Sequence, residues 1–295
     1  MKLKFNAIFY IFILGLVLVS CKKDDDDDTI PHDPEAQALL DDDLLVDYLQ
    51  THYYIPPAAG ESFGVIDTIL NGEESLFLQV ETENLTYDEI DYKLYYLVLE
   101  QGENISATRY DSVFVNYRGF TLDSLKFDEN KNIWLNIGGS VSSQGVSSGV
   151  IQGWKYGFPH FKSGTNVSVP GEPISFENTG KGVLFIPSGL AYSNFGSNAI
   201  GPNESLIFFI DLNMVVKTDY DNDGILNEYE DLNNDGEIID DDTDGDLSPD
   251  FIDTDDDGDG ILTRDENADP NGDGNPVDAL DSDGDNIPDY LDSDS

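Results

Sequence analysis

The last quarter of the chain carries acidic residues at a spacing that could bind a metal ion. Asp219, Asp221 and Asp223 occupy alternate positions, Gly224 follows them, and Glu230 lies six residues beyond the glycine. Alternate carboxylates and a late bidentate acid can surround a large, hard cation with oxygen ligands, and the glycine permits the sharp turn that this requires. The spacing therefore predicts a calcium loop.

A second stretch has the same spacing, with Asp255, Asp257, Asp259, Gly260 and Glu266. Both stretches fit the EF-hand loop pattern D-x-[DN]-x-[DN]-G-x5-E. The flanking helices of an EF-hand are not evident in the sequence, and a tail so rich in aspartate produces such matches by chance. A disordered acidic extension is the alternative interpretation of these stretches.

An internal repeat is better evidence for ordered structure in this tail. Residues 242–253 return as residues 281–292, with every acid, the glycine and the proline in register. Random acidity does not preserve register. These units resemble thrombospondin type 3 calcium repeats, which have little core and coil around bound ions. The candidate calcium ligands are Asp219, Asp221, Asp223, Glu230, Asp242, Asp244, Asp246, Asp250, Asp253, Asp255, Asp257, Asp259, Glu266, Asp281, Asp283, Asp285, Asp289 and Asp292.

The charge of the chain excludes one class of partner. Of its 60 acidic residues, 30 lie between Asp219 and Ser295, where Arg264 is the only Lys or Arg. Such a surplus of negative charge repels nucleic acid and anionic membranes and attracts cations. We therefore expect no nucleic acid partner and a tail that is compact only when cations are bound.

A second group of residues could form an apolar pocket. The stretch Val150-Ile151-Gln152-Gly153-Trp154 holds one of the two tryptophans and lies between Gly149 and Gly157. An indole buries well against a planar ligand, so Trp154 could be the floor of a binding pocket. Ordinary packing in the core is the alternative for this tryptophan.

Five ordered segments around this stretch resemble the FKBP-type peptidyl-prolyl cis-trans isomerases. That family shows a V-x-Y-x-G strand, a K-F-D corner, a V-I-x-G-W helix start, an I-P-x-x-L-A-Y-G strand end and a final L-x-F-x-x-x-L strand. Here these are found at 113–119, 126–128, 150–154, 185–192 and 205–212. The resemblance covers roughly residues 90–217. It implies an α+β fold, with an antiparallel sheet wrapped around a short helix.

The resemblance also implies roles for nine pocket residues, and no cofactor for catalysis. Trp154 would lie under the prolyl ring, the amide of Ile151 and the hydroxyl of Tyr192 would bind substrate carbonyls, and Asp128 would orient Tyr117. The remaining wall and cover residues would be Phe127, Val150, Ile200 and Phe208. The chain departs from the family in a lengthened hairpin at 165–182, which we expect beside the pocket.

The N-terminus has the features of a bacterial lipoprotein signal. Lys2 and Lys4 precede an apolar run, and Leu18-Val19-Ser20-Cys21 resembles the lipobox, in which the cysteine is lipidated. An uncleaved anchor is the alternative, although the run is short for a membrane span. The residues after Cys21 resemble an export signal of Bacteroidetes lipoproteins. We therefore expect a lipid anchor on Cys21 in the outer membrane and display on the surface, with the periplasmic face as the alternative.

These observations divide the chain into five parts. We expect a signal peptide at 1–20, a disordered acidic tether at 21–34, an N-terminal helical extension at 35–89, the isomerase domain at 90–217 and the mostly irregular calcium-binding tail at 218–295. The extension should begin with an amphipathic helix over residues 34–54, because six residues recur at helical spacing. These are Leu39, Leu40, Leu44, Leu45, Tyr48 and Leu49.

Three functions fit this organisation. The leading one is a prolyl isomerase that acts on proline-containing exported polypeptides. The second is a calcium-dependent adhesive or peptide-binding surface protein, built on a catalytically silent FKBP fold. The third is an isomerase whose activity changes with calcium.

Overall fold

The computed structural model describes residues 32–142, 145–147 and 149–295. The predicted signal peptide, Cys21 and most of the tether lie outside these residues. Residues Asp33–Ser295 form one unit by their contacts. In the part of the chain that is described, no helix has the length and apolar character needed to cross a membrane.

The described residues form two α-helices and twelve strands. In chain order they are α1 Pro34–Thr51, β1 His52–Ile55, β2 Val65–Thr68, β3 Glu81–Tyr87, β4 Ile90–Glu100, β5 Ser112–Thr121, β6 Lys126–Asn136, β7 Ser140–Ser142, β8 Gly145–Ser147, α2 Gln152–Gly157, β9 Thr165–Asn166, β10 Phe176–Glu177, β11 Gly180–Ile186 and β12 Leu206–Val216.

A six-stranded antiparallel sheet organises residues 81–216. Its strand order is β3-β4-β11-β12-β5-β6. The central strands β11 and β12 are apolar without alternation because both of their faces are covered. Leu184 and Phe208 pack on the face that holds α2, whereas Phe185 and Phe209 pack on the opposite face against α1. The predicted α+β fold, with an antiparallel sheet, a short helix and an N-terminal helix, is confirmed.

Helix α1 covers the second face of the sheet. It begins at Pro34 after Asp33, whose carboxylate accepts a hydrogen bond from the Ala36 amide, as an N-cap does. Leu45 and Leu49 are fully buried. Asp41 is also fully buried, and its Oδ2 accepts a 2.6 Å hydrogen bond from the Ser188 amide.

The apolar face predicted for this helix is partly wrong. Leu39, Leu40 and Leu44 are 68%, 50% and 46% exposed. The buried stripe instead runs through Ala38, Asp41, Leu45, Tyr48 and Leu49. The helix also ends at Thr51 rather than near Tyr54, because the following residues form β1 and pair with β2.

The extension predicted at 35–89 is not helical throughout. Strand β3 pairs with β4 through a tight turn at Asp88 and Glu89, both of which have positive φ angles. The boundary predicted between residues 89 and 90 therefore falls inside a hairpin of the main sheet. From Thr82 to Tyr87, exposed and half-buried residues alternate in this edge strand, which is the period of two that a helix lacks.

The hairpin predicted at 165–182 forms, but it does not lie beside the Trp154 pocket. Strands β9 and β10 pair antiparallel, and Phe176 packs against Phe114 at 5.7 Å between ring centroids. Together with Asn116 and Asp211, the hairpin lines a cavity of about 410 Å³. Asn116 and Asp211 alternate with Tyr117 and Ile210 along their strands, so this cavity is on the opposite face of the sheet from α2.

The tail from residue 219 onward is mostly irregular, as predicted. Its regular elements in the described residues are single 3₁₀ turns, at Asn227–Tyr229, Asp250–Ile252, Thr263–Asp265, Pro276–Asp278 and Asp289–Leu291. Two small apolar clusters stabilise it. One joins Ile225, Ala268 and Tyr290 within the tail, and the other joins Ile238 and Phe251 to Tyr110, which lies just before β5.

Candidate functional site

An open pocket of about 430 Å³ lies at the start of α2. Strands β5, β6 and β12 form its walls, and the loop at 197–200 borders it. All nine predicted pocket residues line it, namely Tyr117, Phe127, Asp128, Val150, Ile151, Trp154, Tyr192, Ile200 and Phe208. Sequence reasoning did not include Leu135, which also lines the pocket from β6.

Trp154 lies at the bottom of this pocket and is held by other aromatic rings. It is 6% exposed, and its ring centroid lies 4.8 Å from those of both Tyr117 and Phe208, in edge-on geometry. Gly153 lets α2 approach the sheet, because a Cβ at this position would overlap the side chain of Ile186. The indole N–H is buried and has no hydrogen-bond partner among the described residues.

A hydrogen-bonded group fixes one wall of the pocket. The Tyr117 hydroxyl donates a 2.6 Å hydrogen bond to Asp128 Oδ2, and the Asn130 side-chain amide donates to the Tyr117 oxygen at 2.6 Å. Burial and the hydrogen bond to Asp128 raise the pKa of Tyr117 to about 12. The hydroxyl is therefore protonated at neutral pH and keeps its role as donor. Asn130 was missed, although it lies two residues after Asp128 on the same face of β6.

Two hydrogen-bond donors at the rim are free to bind a substrate. Burial, and then the charge of Asp128, raise the pKa of the half-buried Tyr192, so its hydroxyl also stays protonated. Within the described residues this hydroxyl makes no hydrogen bond, and the Ile151 amide donates to no acceptor. The first amides of a helix have no partner inside the helix, which explains why Ile151, at the N-cap of α2, is available.

The tail contains carboxylates that are close together and buried. Oxygens of Asp221, Asp223, Glu230 and Asp256 lie within 4.8 Å of one another. Asp223, Glu230 and Asp256 are each 2% exposed. Both carboxylate oxygens of Glu230 and of Asp256 lack a hydrogen-bond partner in the described part of the chain. We call these four residues the buried carboxylate cluster.

The electrostatics of the buried carboxylate cluster are unfavourable without a positive charge. Burial, followed by the charge of Asp223, raises the pKa of Glu230 to about 11 and that of Asp256 to about 9. Buried charges are normally paired or bound to a metal ion. With only acceptor atoms present, the chemistry of this donor set fits a hard divalent cation.

The cluster differs from the prediction in two residues. Asp256 belongs to it, although sequence reasoning assigned the flanking Asp255 and Asp257 to another loop. Asp219 does not contribute to the cluster, and its Oδ1 instead accepts a hydrogen bond of 2.7 Å from the Asn222 amide. Asp256 was missed because its partners lie 26 or more residues away along the chain.

Three further groups of acids match predicted loops. They are Asp242, Asp244 and Asp246; Asp255, Asp257 and Asp259; and Asp281, Asp283 and Asp285. Glu266, predicted with the second of these groups, is 8% exposed, and burial and the charge of Asp257 raise its pKa to about 7. One of its oxygens has no partner in the described residues.

The two repeats have the same geometry. The carboxylate of Asp250 accepts hydrogen bonds from the amide and hydroxyl of Thr243, both at 2.8 Å, and Asp289 accepts the same pair from Ser282, both at 2.7 Å. These two acids, which were predicted as ligands, thus close their own loops and lie outside the groups of close carboxylates. Asp253 and Asp292 likewise accept hydrogen bonds, from the amides of Asp255 and Asp294.

Comparisons with known proteins match two separate regions of the chain. Residues 103–213 match the family model of FKBP-type peptidyl-prolyl cis-trans isomerases. Residues 220–280 match a model described as the BamM C-terminal region. The two matches therefore separate the pocket domain from the acidic tail.

Relatives of known name align with the first of these regions. The chain is 33% identical over 119 residues to the FKBP-type isomerase FkpA of Escherichia coli strain K12, which covers 40% of this chain and 36% of that protein. It is 31% identical over 125 residues to the isomerase Mip of Coxiella burnetii, covering 42% of this chain and 45% of Mip. The chain thus spans less than half the length of these relatives.

Among solved structures, the crystal structure of FkpA from Escherichia coli is similar at 29% identity, with 46% of this chain and 52% of that chain covered and a TM-score of 0.33. The family match at 103–213 covers the pocket and the strands β5, β6, β11 and most of β12, whereas β3 and β4 of the same sheet lie before it. Residues 103–213 of this chain are therefore similar to the FKBP-type peptidyl-prolyl cis-trans isomerase family.

Proposed function

We propose that the chain is a peptidyl-prolyl cis-trans isomerase that accelerates rotation about Xaa-Pro bonds in exported polypeptides. The observation that carries this proposal is the meeting of all nine predicted residues in one pocket with an indole at its base. The pocket is apolar where a prolyl ring would bind and has two free donors at its rim. This combination suits a reaction that needs no nucleophile.

Prolyl isomerisation is a rotation about one peptide bond, so the protein has only to lower a rotation barrier. Partial double-bond character gives the peptide bond a rotation barrier of about 18–20 kcal/mol. Before proline the two isomers differ by only about 0.5–1 kcal/mol, so a catalyst has only to stabilise the twisted amide. In that state conjugation is lost and the nitrogen becomes pyramidal. A pocket that excludes water and binds the twisted form more tightly than the planar form accelerates rotation.

Each part of the site has a task in this mechanism. Trp154, Phe208 and Tyr117 would hold the prolyl ring by apolar contact and shield the bond from water. The Ile151 amide and the Tyr192 hydroxyl would donate to carbonyl oxygens of the bound peptide and so fix its orientation. Asp128 and Asn130 would act indirectly, because they hold the Tyr117 ring in place.

The test is a rate measurement by NMR exchange on a short Xaa-Pro peptide. Tyr192→Phe removes one donor, worth about 1 kcal/mol, so we expect a rate reduction of roughly fivefold. Trp154→Ala should abolish the acceleration. Trp134→Ala is the matched control, since Trp134 is 49% exposed and lies outside the pocket lining. A folded wild-type chain that gives no acceleration would leave peptide binding without catalysis as the function.

The tail would bind calcium. In support, the buried carboxylate cluster holds four unpartnered oxygens on Glu230 and Asp256, and the repeated loops bring three aspartates together in each unit. Asp221, Asp223, Glu230 and Asp256 would provide the oxygen ligands. Bound calcium would neutralise charges that otherwise repel one another. Calorimetric titration with calcium tests this, and a chain that binds no divalent cation would contradict it.

The chain would be held at the outer membrane by a lipid on Cys21, facing the surface or the periplasm. The support is the lipobox-like sequence, with its apolar run and the cysteine that follows. Mass spectrometry of the membrane-extracted protein would test this. A Cys21→Ala variant that remained in the membrane fraction would argue against the lipid anchor.

A further inference from the structure

The acidic tail contacts the FKBP-type domain at the helix that carries Trp154. Glu237 Oε2 lies 3.2 Å from Lys155 Nζ, and Glu237 Oε1 accepts a 3.0 Å hydrogen bond from the Tyr156 hydroxyl. Both partners belong to α2, and Lys155 directly follows Trp154 in the chain. A tail carboxylate is therefore bound to the residue next to the pocket floor.

Several contacts determine the position of Glu237. Arg109 Nη1 donates to Glu237 Oε1 at 3.1 Å and to the Gly236 carbonyl at 2.9 Å. The Tyr110 hydroxyl donates to the same carbonyl. The Arg109 guanidinium also lies 4.6 Å from the centre of the Tyr156 ring. Because two cations and two tyrosines of the isomerase domain meet this one turn of the tail, its place on α2 is specific.

Two groups of close carboxylates bracket this turn. Glu230 of the buried carboxylate cluster lies seven residues before Glu237, and Asp242 of the first repeat lies five residues after it. Between them, the Asp231 carboxylate accepts hydrogen bonds from the amides of Asp235 and Gly236, at 3.0 and 2.9 Å. A cation bound on each side would fix both ends of the segment. Without cations, the like charges repel and the segment loses its fixed ends.

The first acidic loop of the tail contacts the end of β6, a second part of the chain that leads to the pocket. The Tyr220 hydroxyl donates to Asn136 Oδ1 at 2.8 Å and to the Gly139 carbonyl at 3.2 Å. Tyr220 lies between Asp219 and Asp221, so it moves with the first acidic loop. Its partners lie at the end of β6, in the segment that leads towards Val150.

We propose that Glu237 is a positioning residue through which divalent cations bound by the tail set the position of Trp154, so that prolyl isomerisation depends on calcium. This inference rests on the proposed function. Cation binding orders the segment that carries Glu237, Glu237 holds Lys155 and Tyr156, and α2 then presents Trp154 to the substrate. Removal of the cation releases Glu237 and leaves the pocket floor less well positioned.

The test uses the full chain in a Trp134→Phe background, where Trp154 is the sole tryptophan. Its fluorescence emission and the Xaa-Pro exchange rate are measured in excess calcium and in excess chelator. We expect chelation to shift the emission and to slow exchange about fivefold, at the lower end of usual couplings between sites. Glu237→Gln in calcium should reproduce the chelated emission and rate. Lys155→Met combined with Glu237→Gln should add nothing further, because the two groups act through one contact.

Glu228→Gln is the matched control. Glu228 also lies in the tail and pairs with Lys217, just after β12, at 2.8 Å, and among the described residues it forms no hydrogen bond or ion pair with α2. This variant should keep the full response to calcium. The inference is overturned if calcium does not bind, or if bound calcium changes neither emission nor rate, or if Glu237→Gln responds as the wild type does. Absence of catalysis under every condition would instead overturn the proposed function, and the emission would still report whether the tail moves Trp154.

Discussion

Replacing Glu230 with glutamine should change the stability of the chain in opposite directions with and without calcium. Glu230 is 2% exposed, both of its carboxylate oxygens are unpartnered, and three other carboxylates lie around it. In chelator its charge has nothing to balance it, so the carboxyl group holds a proton, as its pKa of about 11 indicates. Holding that proton at neutral pH costs stability relative to the unfolded chain, where the carboxyl group ionises, and Glu230→Gln removes this cost without changing the size of the side chain. In calcium the same charge is a ligand, and its loss weakens binding.

The magnitude follows from the burial. Glutamine keeps a polar group at this position but removes the ionisable one, and a buried ionisable group without a partner costs about 1–3 kcal/mol or more. We expect Glu230→Gln to gain that much stability in chelator and to lose a similar amount in saturating calcium. For a domain of this size, 1 kcal/mol corresponds to a change in Tm of about 2–4 °C, so the shifts should be roughly 2–12 °C in each direction.

Thermal unfolding followed by circular dichroism, in calcium and in chelator, measures both shifts. Glu228→Gln provides the comparison, because Glu228 lies two residues away but is partly exposed and paired with Lys217. This control should shift Tm little in either condition. A Glu230→Gln variant that is less stable in both conditions, or unchanged in both, would refute the assignment of Glu230 as a cation ligand.

Three further changes test the pocket and its supports. Gly153→Ala should lower both stability and isomerase activity, because the added Cβ overlaps Ile186 and overpacking costs about 1–3 kcal/mol. Denaturant unfolding measures the loss of stability, and NMR exchange measures the isomerisation rate. An unchanged rate would contradict the close packing of α2. Tyr117→Phe should lower the free energy of unfolding by about 1 kcal/mol through loss of the hydrogen bond to Asp128. Tyr53→Phe, at a half-buried tyrosine of β1, is the control and should leave the free energy of unfolding nearly unchanged. Burial lowers the pKa of His160 below its usual 6.5, so the folded chain favours the neutral imidazole and loses stability as pH falls through 6.5. His160→Phe should therefore flatten the decline in Tm between pH 7.5 and 5.5. An unchanged slope of Tm against pH would count against this.

The pocket could be predicted from the sequence because its residues lie in segments of characteristic spacing. Trp154 and Ile151 belong to one helix start, and Tyr117 and Phe208 lie on strands whose apolar pattern is clear. What the sequence did not show was the partner of Tyr117 on the neighbouring strand. Asn130 reaches it only because β6 pairs with β5 in one register, with an irregularity near this point.

The misplaced features have a common physical cause, which is that long-range contacts override local patterns. In α1 the leucines repeat at helical spacing, yet the buried stripe includes Asp41 because the Ser188 amide bonds its carboxylate. The hairpin at 165–177 follows α2 closely in sequence but lies across the sheet. Asp256 sits between two predicted ligands and joins a cluster with Asp221 instead. No local spacing contains this information.

The contacts between the tail and the pocket domain differ in the free energy that they contribute to holding the two together. Ion pairs that are partly exposed, such as Glu237 with Lys155, are each worth about 0–1 kcal/mol. Burial of Ile238 and Phe251, each 2% exposed, is worth about 1.5–3 kcal/mol per side chain. The apolar cluster with Tyr110 therefore provides most of the binding energy, while the charged contacts decide where the turn lies on α2. Loss of Glu237 should then uncouple the tail from the pocket without detaching it, which makes this residue suited to transmitting a signal rather than to holding the fold together.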